Sequence, residues 1–197
     1  MPTSNSDNLN LKPSTFNLKL TLKAWPVIAA ATIGLCFLTQ HVAGWLGIAL
    51  PDQANIGQIR KMGIYAWRTF MESPLGVALS DRVVSAFLIN IPAVLVFMPM
   101  VEEAVFRQLL FKLPSRLLPK RRIEPTAAIL SSAVFSAAHY ISQPWPDSAF
   151  LALFFFGLAQ CWLYKKTGHL WCAILNHALF NLTNFVLLFI LPANAAS

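Results

Sequence analysis

Charged residues are scarce in this sequence. They occupy 12% of 197 positions, and only eight are acidic, where soluble domains carry about 25% charged residues. Together with an apolar content of 56%, that scarcity excludes a water-soluble globular class and leaves a polytopic membrane protein of one domain. Cysteine is nearly absent as well. Cys36, Cys161 and Cys172 fall in apolar segments and form no C-x-x-C pair, which excludes a thiolate zinc site and a disulfide framework. The H-E-x-x-H spacing of the zincins is missing, and so are the internal repeats usual in secondary transporters. The net charge of +7 comes from basic clusters beside apolar runs, the pattern of membrane topology, so no nucleic-acid partner is expected.

What the chain does have is a set of long apolar runs. Residues 1–23 are polar and basic and read as a mobile tail. Residues 24–82 hold a first membrane helix, 24–50, too long for a signal-peptide core of about 7–15 residues. An amphipathic or re-entrant segment follows, in which Ile56, Ile59, Met62, Ala66, Trp67 and Phe70 recur at helical spacing opposite Gln58, Arg60, Lys61 and Arg68. Asp81 is a natural N-cap for the next helix. Residues 83–191 then supply further spans at 83–111, 126–140, 148–164 and 169–191, and a short tail covers 192–197. The expected fold is all-α, a transmembrane bundle of about five spans. Lys and Arg number three in the N-terminal tail, five at 112–122 and two at 165–166, against four in 51–82. The N-terminus is therefore expected in the cytoplasm, which in a bacterial source makes the inner membrane the location.

Two of the eight acidic residues stand side by side in the second span, Glu102-Glu103, followed by Arg107. Ionisable groups at membrane depth cost about 2.5–3.5 kcal/mol each on insertion scales and are usually functional. Glu103 and Arg107 are i and i+4 and share a helix face, where they can pair. Glu102, rotated by about 100°, is the freer carboxylate. Pro92 and Pro99 remove backbone donors and are expected to kink this helix beside the carboxylates. Phe135 and His139, and again His177 and Asn181, are i, i+4 pairs on later spans. At 1.5 Å per residue, Glu102, His139 and His177 lie roughly 12–20 Å from the cytoplasmic ends of their helices. The same residues admit a structural intramembrane ion-pair cluster or packed core histidines; their shared depth favours a site.

Glu102-Glu103-x-x-x-Arg107, Phe135-x-x-x-His139 and His177-x-x-x-Asn181, in this order, resemble the CPBP intramembrane protease family, which includes the type II CAAX prenyl endopeptidases. Pro99, Phe106 and Thr167-Gly168-x-Leu170-Trp171 fit the same pattern, while Gln108 and His169 depart from it without touching a motif position. The resemblance implies hydrolysis of a peptide bond in a membrane-associated peptide or lipidated protein, with the bilayer as the other partner. Glu102 would be general base on a water that His139 orients, His177 and Asn181 would donate to the oxyanion, and Glu103, Arg107 and Phe135 would support them. No cofactor is expected on that scheme. A zinc version stays open, with Glu102, His139 and His177 as ligands and Glu103 as base. Outside the enzyme class stand a non-catalytic membrane partner or immunity protein of the same fold and a proton-coupled transporter.

Overall fold

The computed structural model describes residues 16–50, 56–117, 120–141 and 147–190, and among them there is no strand. Seven helical elements follow one another among the described residues: α1 (Leu18–Trp45), α2 (Ile56–Glu72), α3 (Leu75–Ser80), α4 (Arg82–Ser115), α5 (Lys120–Ala138), α6 (Ala149–Thr167) and α7 (Leu170–Ile190). The first helix starts inside the expected tail because Asn17 caps it, its side chain accepting from the Leu20 N–H at 2.9 Å. Asp81 is the N-cap of α4 as expected, accepting from the N–H groups of Val83 and Val84. The expected tails at 1–15 and 192–197 and the turn at 143–146 lie outside the described residues.

The α4 helix runs through both prolines, its backbone wound as π-helix at Ala93–Phe97 and again at Ala104–Lys112. The wider turn at Ala93–Phe97 lies between the two prolines, and both features are places where helices bend. Three helices, α1, α4 and α7, are long and apolar enough to cross a membrane. The hairpin α5–α6 falls short of that measure, since Lys120, Arg121, Arg122 and Glu124 occupy the start of α5 and Lys165 and Lys166 the end of α6. Of the expected five spans, three are matched on length and composition among the described residues.

Packing is inverted relative to a soluble protein. Large apolar side chains such as Val27, Phe37, Ile89 and Phe97 point outward, while Glu103, Arg107, Ser131, Ser136, Gln160 and Asn176 are fully buried. In lipid the apolar faces need no cover, and polar groups gather inside where they find one another. Small residues allow α5 and α6 to approach closely: a Cβ added at Gly157 would stand 2.9 Å from the Ser132 Cβ. Gly168, at φ 67°, ends α6 with its N–H on the Tyr164 carbonyl at 2.7 Å, and α7 begins directly after it.

Side-chain contacts fix the helix directions. Lys165 pairs with Glu124 at 2.6 Å, which joins the end of α6 to the start of α5. The Tyr164 hydroxyl donates to Gln108, bringing the end of α4 to the same place. Phe16 lies against His169, and the Trp25 indole donates to Thr183 at 3.1 Å, so α1 and α7 run parallel.

Candidate active site

The buried centre of α4 holds Pro99, Glu103, Phe106, Arg107 and Phe111. Glu103 and Arg107 meet at 2.9 Å from Oε2 to Nε, and neither side chain is exposed. The contact lies off the line of a good hydrogen bond, so charge rather than directed bonding holds it, and Nη2 has no acceptor among the described residues. Nη1 of Arg107 donates to the Ser131 hydroxyl at 3.4 Å, and that hydroxyl donates to the Phe106 carbonyl at 2.6 Å. The guanidinium carbon also stands 4.9 Å from the centre of the Phe135 ring, a cation–π contact in a water-poor setting. Ion pair, hydroxyl and ring together fix the guanidinium between α4 and α5.

Glu103 has a second partner. Its Oε1 lies 2.9 Å from Nδ1 of His177 on α7. A carboxylate oxygen in an ion pair accepts, and the imidazole tautomer that suits this contact carries its proton on Nδ1. Nε2 is then left facing Glu102, whose Oε2 lies 3.6 Å away. That separation is too long for a direct bond and suits a bridging water that gives one proton to each acceptor. The Glu102 side chain is 19% exposed where Glu103 is 0%, which is the division of surroundings that helix geometry predicts. Phe135 and Phe156 pack edge-on to the His177 ring at 5.9 and 5.1 Å between centroids.

The remaining residues take different places. His139 lies just past the last helical residue of α5, Ala138, rather than inside a span. Its Nδ1 sits 2.9 Å from the Phe135 carbonyl and its ring 4.7 Å from the Phe135 ring. Phe135 thus touches Arg107, His139 and His177 at once and joins the three motifs. Asn181 donates through Nδ2 to the Val94 carbonyl at 3.0 Å. Phe156, Ser131 and the Glu103–His177 bond belong to this site but were not readable in the sequence. The spacing of an apolar span gives Phe156 no mark beside Phe154 and Phe155, and a contact between α4 and α7 leaves no local pattern.

Among the described residues, no three His, Cys, Asp or Glu side chains stand where one metal ion could be held. Glu102, His139 and His177 are not gathered as a zinc-ligand set among them.

The sequence model for the type II CAAX prenyl endopeptidase Rce1-like family matches residues 84–183, which include every motif residue above. No curated protein and no solved structure matches the chain.

Proposed function

Because the chain belongs to the type II CAAX prenyl endopeptidase Rce1-like family and is an integral membrane protein, we propose that it hydrolyses a peptide bond of a membrane-associated or lipidated peptide with a water activated by Glu102. The observation that carries this reading is the 3.6 Å gap between Glu102 Oε2 and His177 Nε2, with the other imidazole nitrogen committed to Glu103 at 2.9 Å. A water in that gap has two acceptors and turns a lone pair toward a substrate carbonyl. As its oxygen bonds to the carbonyl carbon, one water proton passes to Glu102. Asn181 has a second N–H to offer the oxyanion. The C–N bond then breaks, and Glu102 returns the proton to the leaving amine. His139, anchored through Phe135, lines the site beside the water. His177 therefore serves the water in this scheme, and the oxyanion falls to Asn181.

We place α1 and the four helices from α4 to α7 across the bilayer in alternating direction, N-terminus in the cytoplasm. The contacts that gather Lys112, Glu124, Lys165 and the start of α7 at one end support this. Those basic groups sit where the positive-inside rule puts them.

The test is Glu102→Ala in membranes, with membrane peptides compared between the two chains. The variant should be inserted and abundant yet lose about 10²–10⁴ in rate, the usual range for a general base. Unchanged processing by well-expressed Glu102→Ala protein would sink the proposal.

A further inference from the structure

We infer that Pro99 is a positioning residue for Asn181: by removing one backbone N–H it leaves the Val94 carbonyl free to hold the Asn181 amide in place. In an α-helix the Val94 carbonyl would accept from the N–H of Met98. Here the π-turn at Ala93–Phe97 gives that N–H to Ala93 instead. The next donor in the π register is residue 99, and proline has none. The Val94 carbonyl is thus left without its helical donor in a helix long and apolar enough to cross a membrane, where an unpaired carbonyl facing lipid is costly. Asn181 supplies the missing bond from α7, Nδ2 to oxygen at 3.0 Å.

The bond does more than satisfy a carbonyl. An asparagine amide can turn over and exchange its oxygen with its nitrogen. An acceptor fixed at Val94 forces the nitrogen to that side and leaves its second N–H directed by the same plane. Pro99 also lies in the short stretch Met98–Glu103 that carries both glutamates, so the donor on α7 and the base on α4 are referenced to one piece of backbone. The inference rests on the proposed role of Asn181 as oxyanion donor.

The experiment uses the full chain in detergent, comparing Pro99→Ala, Asn181→Ala and the double substitution. Alanine restores the N–H and removes proline from a helix interior, so Pro99→Ala should melt no lower than the unsubstituted chain. Its kcat should nevertheless fall about 10- to 100-fold at unchanged KM, the scale of a misplaced group near the reacting atoms. In the Asn181→Ala background the same change should have little effect. The Asn181 side-chain NH₂ resonances, identified by their loss in Asn181→Ala, should move in Pro99→Ala. Full kcat in Pro99→Ala, an equal drop in both backgrounds, or unmoved resonances would each overturn the inference. If Pro99→Ala yields no folded protein, the unsubstituted chain decides: one Asn181 N–H protected from exchange supports the inference, and two freely exchanging protons defeat it. Should Glu102→Ala process substrate normally, the protease mechanism fails, while the resonance test of the Pro99–Asn181 link still stands.

Discussion

The chain contains two Glu–Arg pairs at i, i+4 spacing, and they have opposite surroundings. Arg68 and Glu72 on α2 meet at 3.2 Å with side chains 74% and 66% exposed. Glu103 and Arg107 on α4 meet at 2.9 Å with neither exposed. Spacing predicts both contacts equally and says nothing about their worth. Water solvates the first pair, and either partner is nearly as well off alone. The second pair has left water, so each charge depends on the other and on the polar groups gathered around it. The buried pair also has a third member, His177, at 2.9 Å from Glu103. That added contact is what turns an ion pair into part of a site.

The largest expected effect comes from breaking the buried pair. Arg107→Ala leaves Glu103 unpaired and should lower stability by about 3–5 kcal/mol, the typical loss when one partner of a buried pair is removed. Folded protein recovered in detergent measures it. Glu103→Gln combined with Arg107→Gln replaces both charges and should recover part of the loss. A fully stable but inactive Arg107→Ala protein would show that the guanidinium acts in the chemistry rather than in holding the helix.

His177, the third member, comes next. In the proposed scheme it holds the water, and His177→Ala should reduce turnover by roughly 10²–10³, the loss typical of one polar group at a hydrolytic centre. Zinc measured in active, purified protein is expected well below one per chain. About one zinc per chain, lost together with activity in His177→Ala, would replace the water-only mechanism with a metal mechanism and leave the family unchanged.

These two predictions draw on different amounts of sequence. The Glu103–Arg107 contact was legible because helix periodicity is local: four residues make one turn whatever surrounds them. The division between a buried Glu103 and a more accessible Glu102 followed from the same geometry. The all-helical fold followed from the long apolar runs, and the Asp81 cap from its place before one. The Glu103–His177 bond was not legible, since it joins helices 74 positions apart in sequence. The π-turns of α4 were not legible, because residue spacing does not show where a helix changes its hydrogen-bond register. The count of five spans came from apolar runs, and charged residues at the ends of α5 and α6 shorten the apolar length of those two helices.

A smaller effect is expected at the N-terminus of α4. The Tyr65 hydroxyl donates to Asp81 at 2.8 Å, and it and the N–H groups of Val84 and Val83 hold the Asp81 carboxyl below its ordinary range. A carboxyl with a depressed folded-state pKa contributes stability above its unfolded value and loses it as pH falls through the folded value. The contribution should therefore be intact at neutral pH and fade only in the acid range below the usual aspartate pKa. The difference in melting temperature between the unsubstituted chain and Asp81→Asn, followed against pH, isolates it. A difference that grows as the solution is made more acid has the wrong sign for this arrangement.

The smallest effect should be found at the exposed pair, and it completes the comparison. Arg68→Ala removes one partner of a pair whose spacing and residue types match those of the buried one. With both side chains mostly in water, an i, i+4 pair on a helix surface contributes about 0.3–0.5 kcal/mol. Here Arg precedes Glu, the less favourable order for such a pair, so the lower end of that range is expected. The small loss should shrink further in 1 M salt, where the Debye length is about 3 Å. Arg107→Ala measured in the same salt series should hardly respond, because ions do not enter its surroundings. The decisive reading is the contrast between the two series. If Arg68→Ala proves as damaging as Arg107→Ala, the exposed pair is not surrounded by water and the contrast between the two pairs fails.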